Sequence, residues 1–157
     1  MTEHTASIRW QLGEGDFGKG HYSRAHTWTF DGGLVVPASP SPAVVRPPYS
    51  DPAGIDPEEA FVASISSCHM LTFLYLAHRA GLSVERYEDD ATGSMAKNER
   101  GVPWVDRVVL RPRVDFADPP SPGQVAALHH AAHLECFISC SVKSEITIEP
   151  QATVPQG

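Results

Sequence analysis

The sequence predicts an α+β fold in which antiparallel β-sheets pack around two main helices. Two segments carry complete helix-start signals, and runs of alternating apolar and polar residues lie before, between and after them. The predicted order of elements is therefore strands, helix, strands, helix, strand. A chain of 157 residues can bury one sizeable core, so we expect a single soluble domain over residues 1–157.

The first third of the chain is predicted to form strands joined by turns. Apolar residues alternate with polar ones from Ile8 to Leu12, which is the pattern of a half-buried strand. Two further strand-like runs, 22–30 and 34–36, flank the turn signal Asp-Gly-Gly at 31–33. We expect an antiparallel hairpin or meander in this region.

A proline-rich segment, residues 37–57, follows these strands. It contains seven prolines, which lack an N–H donor and fix φ, so it cannot form a helix or a central strand. We expect a long, stiff loop here. Loops of this length inside compact domains often line a site, and a surface connection without a role is the alternative.

The end of this loop carries the signals of a helix start. Asp56 is suited to the N-cap position, Pro57 to the first helical position and Glu59 to the capping box. Gly81 predicts that this first helix ends near residue 80.

The first helix is predicted to be uncharged along most of its length. Its 18 residues 60–77 carry no formal charge, which is the lower edge of a membrane-spanning length. Serine, histidine and threonine side chains within it would be costly in lipid, so we expect a buried core helix instead. Cys68 shares helical spacing with Ile65, Leu71 and Tyr75, which predicts a buried or half-buried thiol.

The second half of the chain repeats these patterns. Strand-like runs at 84–95 and 104–116 flank a turn signal at 98–101. The segment Ser121-Pro122-Gly123-Gln124 has the residues of an N-cap, a first-turn proline and a capping box, which predicts a second helix. Alternating apolar residues at 142–148 predict a last strand.

The composition narrows the classes of partner. The formal net charge is −7 and no basic run occurs, so DNA, RNA and anionic membranes are poor candidates. No secretory signal is recognisable at the start, and we expect a cytoplasmic protein. Because reducing systems keep disulfides open there, three cysteines indicate packing, metal binding or redox catalysis.

Cys68 is the first candidate for chemistry. A buried cysteine often serves only as a small apolar side chain. Reactivity requires the thiolate, which burial disfavours unless a cation or comparable stabilisation is near. His69 cannot face Cys68, because neighbours on a helix diverge by about 100°. A cation for Cys68 must therefore come from another segment.

Two cysteine motifs resemble those of a known family. The segment 56–61, Asp-Pro-Glu-Glu-Ala-Phe, with Ser-Cys-His-Met at 67–70, resembles the Pro-Glu-Glu to Cys segment of the osmotically inducible and organic hydroperoxide resistance proteins, the OsmC/Ohr family. The segment 132–136, Ala-His-Leu-Glu-Cys, with Ser139, resembles that family's second-cysteine motif. The resemblance covers residues 5–150, nearly the whole chain.

This resemblance implies a thiol peroxidase that acts against oxidative stress and needs no cofactor. Cys68 would be the peroxidatic cysteine, which a hydroperoxide oxidises to a sulfenic acid while an alcohol is released. Cys136 would be the resolving thiol, which closes an intramolecular disulfide. A dithiol reductant such as dihydrolipoamide would reopen it. The apolar residues around Cys68 favour organic hydroperoxides over hydrogen peroxide.

The resemblance also implies a glutamate and an arginine in the site. By motif position the glutamate is Glu58, and the best arginine is Arg24, with Arg9 or Arg46 as alternatives. A guanidinium is always charged and planar, so it could stabilise a thiolate and hold a peroxide oxygen while Glu58 orients it. The structural alternatives are an exposed strand position for Arg24 and a helix-dipole role for Glu58.

Glu58 and Cys68 cannot meet within one straight helix. They are ten residues apart, which corresponds to about 15 Å of rise. Either the helix breaks between them or the site is assembled across two chains. Packing of the apolar helix about a two-fold axis would produce the second arrangement, and the resemblance implies an intertwined homodimer.

The chain also departs from the family pattern. Phe137 follows the second cysteine where a proline is common, and Cys140 is an additional thiol that could resolve in place of Cys136. Without the proline, the second helix is expected to continue for longer.

Two other functions fit the sequence. His129, His133 and Cys136 have a spacing suited to zinc ligands, although His-x-x-x-His pairs arise often by chance and no further ligand is evident. A protein of the same fold could instead hold a lipid-like molecule in an apolar pocket without turnover.

Overall fold

The computed structural model describes residues 2–152. Their elements follow the predicted order of strands, helix, strands, helix, strand. The chain divides into two compact units, Met1–Ala60 and Phe61–Gly157, which we call the N-terminal unit and the C-terminal unit.

The N-terminal unit contains a three-stranded antiparallel sheet and a two-stranded ribbon. The sheet has the order β1-β4-β5, and the ribbon pairs β2 with β3. The strands are β1 Ala6–Arg9, β2 Gly15–Asp16, β3 His21–Tyr22, β4 His26–Phe30 and β5 Val35–Ala38. The run predicted as one strand over 22–30 is interrupted, because the Arg24 N–H donates to the carbonyl of Tyr49 rather than to a sheet partner.

The proline-rich loop is closed at its base by backbone hydrogen bonds. Ser39 N–H donates to the Ile55 carbonyl, and Ile55 N–H donates to the Pro37 carbonyl. Gly54 packs so tightly there that a Cβ would lie 3.0 Å from the Ser39 side chain. The Ser39 hydroxyl also accepts from the Asp51 N–H at 2.8 Å. The segment is therefore an ordered loop, as its prolines predict.

The first helix, α1, spans Pro57–Arg79 without a break. Both bonds of the predicted capping box are present, since Glu59 N–H donates to Asp56 Oδ1 at 2.7 Å and Asp56 N–H donates to Glu59 Oε2 at 3.1 Å. Gly81 has φ +76° and ends the helix, which allows Leu82 N–H to donate to the Ala77 carbonyl. The predicted limits of this helix are confirmed.

One stripe of α1 is fully buried, and it is narrower than predicted. Its members, spaced four residues apart, are Ile65, His69, Phe73 and Ala77. Leu71 and Tyr75 were expected to share a buried face with Cys68 but are 60% and 55% exposed. By length and composition α1 could cross a bilayer, a property that it shares with core helices of folded domains.

The C-terminal unit contains the remaining strands and the second helix. They are β6 Val84–Asp89, β7 Thr92–Lys97, β8 Pro103–Leu110, β9 Pro112–Phe116, α2 Pro122–Glu135, a 3-10 turn Ser139–Ser141 and β10 Glu145–Ile148. β6 pairs with β9, and a second sheet has the order β10-β8-β7. The predicted antiparallel pairing holds except that β10 lies parallel to β8. The reason is that α2 lies between them in the chain and forms the crossover that parallel strands require.

α2 begins with the predicted capping box but ends earlier than expected. Ser121 and Gln124 exchange both bonds, at 3.2 and 2.9 Å. Cys136 is the C-cap, with φ −70° and ψ 117°. The expectation of a longer helix without proline is wrong, because the extended ψ of Cys136 turns the chain out of the helix, and the Cys140 N–H then donates to the Cys136 carbonyl in the turn that follows.

Two hydrophobic clusters lie in the C-terminal unit on either side of α1's midpoint. Ile65 packs with Val108 and Leu110 in the first cluster, and Phe73 and Ala77 pack with Ala132 of α2 in the second. Between them lies a buried histidine pair, in which His69 Nε2 is 3.1 Å from His129 Nδ1. The Phe73 ring lies 4.3 Å from the His129 ring.

Burial lowers the pKa of both histidines to about 4. The neighbouring His133 lowers the pKa of His69 further, and His69 does the same for His129. Both imidazoles are therefore neutral at pH 7, and one donates its N–H to the other. Protonation would place unpaired charge in a buried site.

Acidification should destabilise the protein through this pair. A histidine whose pKa is depressed on folding contributes stability that is present above its unfolded pKa and lost as the pH falls. Each histidine has a folded pKa of about 4. Lowering the pH from 7 to 5 should therefore reduce the free energy of unfolding by about 2 kcal/mol for each of them. Urea unfolding at the two pH values measures this. The exposed His78 provides the control, since His78→Gln should leave the loss unchanged. Equal unfolding free energies at pH 7 and pH 5 would contradict the prediction.

Candidate active site

Two of the three cysteines meet in the C-terminal unit. Cys68 lies in the middle of α1 and is partly exposed, whereas Cys136 at the end of α2 is fully buried. Their thiols are within hydrogen-bonding reach of each other, and all three cysteines are reduced. The fold therefore brings together the two thiols that the sequence motifs single out.

The turn after α2 surrounds these sulfurs with hydrogen-bond donors. Ser139 N–H donates to the Cys136 sulfur at 3.4 Å. The backbone amides of Phe137 and Ile138 lie near Cys68 and lower the pKa of its thiol. Backbone amides of this turn thus lie near both thiols.

The two thiols have opposite pKa shifts. Burial raises the pKa of the Cys68 thiol, and the hydrogen bond with Cys136 raises it further. Burial also opposes ionisation of Cys136, but the neighbouring Cys68 thiol and the Ser139 N–H outweigh it and lower the pKa of Cys136.

The third thiol, Cys140, has a different environment. It is exposed, and its S–H donates to the Leu134 carbonyl at 3.4 Å. Its position on the outside of the turn leaves Cys136 as the thiol in contact with Cys68.

The N-terminal unit contains an aromatic cleft of about 440 Å³. Its charged lining residues are Arg24 and Glu58, two of the four residues singled out by the sequence. The lining is otherwise mostly apolar and includes part of the proline-rich loop, as expected of such a loop: Ile8, Trp10, Phe17, Tyr22, His26, Pro40, Ser41, Val44 and Pro57.

Arg24 is held in this cleft by Tyr22. Its guanidinium carbon lies 4.0 Å from the centroid of the Tyr22 ring, and Nη1 donates to the Tyr22 carbonyl at 2.9 Å. Arg24 is partly buried between β3 and β4 rather than exposed on a strand. Arg9 and Arg46 are exposed, and neither lines this cleft. Of the three candidate arginines, Arg24 shares the cleft with Glu58.

The four predicted site residues thus form two pairs. Arg24 and Glu58 belong to the N-terminal unit, whereas Cys68 and Cys136 belong to the C-terminal unit. α1 is continuous from Glu58 to Cys68, so the explanation that invoked a break in this helix is wrong.

Zinc ligation by the second helix finds no support in the structure. His129 is buried against His69, and Cys136 contacts Cys68. Across residues 2–152, no group of three or more histidine, cysteine, aspartate or glutamate side chains is arranged to hold a metal ion.

Sequence reasoning missed several residues around the thiols and the cleft. Ser139 lies three residues after Cys136 in the second-cysteine motif, so this Cys-x-x-Ser spacing could have predicted its place beside the thiols. The aromatic residues Trp10, Phe17 and Tyr22 pack together in the cleft, with Phe17 and Tyr22 ring centroids 4.7 Å apart. Their positions in the chain carry no pattern that would have predicted this cluster.

Comparison with known proteins agrees with this fold and these motifs. The sequence profile of the OsmC-like protein family matches residues 50–151. An OsmC-like protein of unknown function from Vibrio cholerae is 47% identical in sequence, and its structure superposes with a TM-score of 0.93 over 96% of this chain and 100% of that chain. The uncharacterized protein YmaD of Bacillus subtilis is 24% identical over 107 residues, which are 66% of this chain and 71% of YmaD.

The chain belongs to the OsmC-like family, as its two cysteine motifs predict. Its fold is also that of an organic hydroperoxide resistance protein from Elizabethkingia anophelis. That structure is 15% identical and has a TM-score of 0.71, with 98% of this chain and 96% of that chain covered. At this level of identity the likeness concerns the fold.

Mild oxidation should join Cys68 to Cys136. Because these thiols are already neighbours, a disulfide between them requires little backbone movement, whereas Cys140 faces the end of α2. Treatment with diamide followed by non-reducing peptide mass mapping identifies the bond. The variant Cys140→Ser should form the same disulfide to the same extent. A Cys68–Cys140 bond as the main product would contradict the observed geometry.

Proposed function

We propose that this protein is a cysteine-based peroxidase that reduces organic hydroperoxides to alcohols. The observation that carries the proposal is the contact between the reduced thiols of Cys68 and Cys136. Two thiols that meet from different helices can be oxidised by a peroxide and closed to a disulfide without unfolding. Membership of a family that includes organic hydroperoxide resistance proteins supports the same chemistry.

The proposed cycle uses the two thiols in turn. Cys68 loses its proton and attacks the terminal peroxide oxygen, the O–O bond breaks, and the leaving alkoxide takes up a proton and departs as the alcohol while Cys68 becomes a sulfenic acid. The Cys136 thiol then loses its proton and attacks the Cys68 sulfur, which forms the disulfide, and the hydroxyl group leaves with that proton as water. An external dithiol of the dihydrolipoamide type reduces the disulfide by thiol exchange. We place this activity in the cytoplasm as a defence against oxidative stress.

The aromatic cleft supports an organic rather than an inorganic peroxide as the substrate. Its rings offer apolar surface to a hydrocarbon group, and Arg24 presents N–H donors suited to a peroxide oxygen. Glu58 lines the same cleft and would orient the guanidinium. Hydrogen peroxide offers nothing for the apolar lining to bind, so we expect it to be reduced more slowly.

A homodimer would complete this site. The solvent-facing side of α1 is uncharged through its middle, where Ser64, Ser67, Leu71 and Tyr75 are exposed. Packing two copies of α1 about a two-fold axis would cover this stripe, and it would allow the Arg24–Glu58 cleft of one chain to serve Cys68 of the other. In this arrangement Arg24 of one chain would supply the cation that Cys68 of the other chain requires, and α1 need not be broken.

The second candidate function is ligand binding without turnover. The aromatic cleft, with its large apolar lining, favours it independently of the thiols. In that case the cleft would hold a lipid-like molecule, and the thiols would remain reduced in the presence of a hydroperoxide.

Single cysteine variants test the peroxidase. With cumene hydroperoxide and dihydrolipoamide, Cys68→Ser should abolish peroxide consumption because the attacking sulfur is missing. Cys136→Ser should consume up to one equivalent and then stop, since no intramolecular disulfide forms. Cys140→Ser should stay close to the wild-type rate and is the matched control. Steady turnover in Cys68→Ser, or unchanged thiols in the wild type, would end the proposal.

Mixing two inactive chains tests the site across the dimer. Light scattering should first give the mass of a dimer. Arg24→Ala and Cys68→Ser chains, refolded together, should regain about a quarter of the wild-type activity, because half of the random dimers then contain one intact site. Arg24→Ala mixed with Cys68→Ser/Arg24→Ala provides the control and should stay inactive. A monomeric mass or no recovery would contradict assembly across chains.

A further inference from the structure

The backbone of Arg24 lies in a gap between two pairs of strands. Tyr22 pairs with Gly15 in the ribbon, and pairing resumes at His26 in the sheet. The polar groups of the Arg24 backbone therefore take partners outside the strand ladders. Its N–H donates to the Tyr49 carbonyl at 3.0 Å, and its carbonyl lies 2.8 Å from Nδ1 of His26. These two contacts fix the peptide units on either side of the Arg24 Cα.

Trp28 decides which nitrogen of His26 carries the proton. The two residues are two positions apart in β4, so their side chains lie on the same face. The indole Nε1 is 3.0 Å from the imidazole Nε2. An indole N–H can only donate, so Nε2 must be the bare acceptor. The proton of the neutral ring is then on Nδ1, which donates to the Arg24 carbonyl.

Both nitrogens of His26 are thus used within the protein. The ring lines the aromatic cleft, but it has neither a nitrogen lone pair nor an N–H left for a bound substrate. His26 is therefore suited to hold a neighbour in place and not to exchange a proton with a substrate.

The neighbour held in this way is Arg24. Its guanidinium carbon lies 4.0 Å from the centroid of the Tyr22 ring, and Nη1 donates to the Tyr22 carbonyl at 2.9 Å. These contacts hold the far end of the side chain, whereas Tyr49 and His26 hold the backbone from which it projects. An arginine side chain has several rotatable bonds. A backbone free to turn would therefore carry the guanidinium off the ring and away from Glu58, which lines the same cleft.

We propose that His26 is a positioning residue for Arg24 and that Trp28 sets it in the tautomer that this role requires. The part that concerns peroxide reduction rests on the proposed function, in which Arg24 donates to a peroxide oxygen. The tautomer of His26 and the placement of the guanidinium do not depend on that function.

Nuclear magnetic resonance tests the hydrogen bonds of His26 without a peroxide. At about pH 8, above the usual titration range of histidine, the assigned ring of His26 should show a protonated Nδ1 and a bare Nε2. Trp28→Phe removes the indole donor and should move the Nε2 resonance downfield. Trp10→Phe is the matched control and should leave it in place, because the Trp10 indole donates to the Ser23 carbonyl instead. A wild-type ring protonated at Nε2, or an Nε2 resonance unaffected by Trp28→Phe, would overturn the proposal.

Two substitutions of His26 separate its hydrogen bond from its bulk. His26→Asn keeps an N–H donor at the position of Nδ1 but loses the ring, whereas His26→Leu keeps most of the bulk and loses the donor. Because the guanidinium lies over the Tyr22 ring, the ring current should shift the side-chain protons of Arg24 upfield. This shift should persist in His26→Asn and disappear in His26→Leu. The proposal fails if the leucine variant keeps the shift or if the asparagine variant loses it.

Peroxide consumption tests the catalytic consequence. With cumene hydroperoxide and dihydrolipoamide, His26→Leu should lower kcat/KM by about tenfold, the effect of one lost hydrogen bond, and His26→Asn should restore most of it. His78→Asn, which replaces an exposed histidine, is the control and should keep the wild-type rate. Diamide should still join Cys68 to Cys136 in every variant, which reports a folded C-terminal unit.

The outcomes distinguish this role from the peroxidase itself. Equal kcat/KM values for the wild type and His26→Leu would refute the catalytic part of the role. If the wild type consumes no peroxide, the peroxidase proposal fails, and the resonance measurements alone decide whether His26 positions Arg24.

Discussion

The burial of one stripe of α1 fixes most of the C-terminal unit. Ile65, His69, Phe73 and Ala77 lie four residues apart, so a single rotation of the helix places all of them against the core. His69 then meets His129 of α2, and Cys68, one position earlier, lies at the edge of the buried stripe with part of its surface in solvent. A rotation that buried Cys68 would expose His69 and lose the contact with α2. The Cys68 thiol owes its half-exposed position to its neighbours in the core.

Local signals in the sequence were sufficient to predict both helices, but they did not predict every strand and its pairing. The capping boxes at Asp56 and Ser121 were predictable because their bonds link residues three apart. The interruption after Tyr22 and the parallel pairing of β10 depend on partners far away in the chain. The thiol pair was predictable from its motifs, whereas the turn beside it was not. The Ser139 N–H reaches the Cys136 sulfur only when the chain turns after α2.

The structure separates two means of stabilising an anion. In the N-terminal unit, a guanidinium held on the Tyr22 ring offers a full positive charge beside Glu58. In the C-terminal unit, the Ser139 N–H, which carries no net charge, donates to the Cys136 sulfur. The neutral His69–His129 pair beneath α1 adds no charge at pH 7 either. Salt would screen the effect of the guanidinium more than that of the amide, because fixed dipoles in a buried site are weakly screened.

The complete burial of Cys136 also bears on the return half of the cycle. In a Cys68–Cys136 disulfide only the Cys68 sulfur would offer a surface to an incoming reductant. The mixed disulfide would then form on Cys68, and Cys136 would depart as the leaving group. Exchange is faster when the departing thiol is more acidic. The Ser139 N–H beside the Cys136 sulfur would stabilise the departing thiolate, so the disulfide would open most easily from the outside, by attack on Cys68.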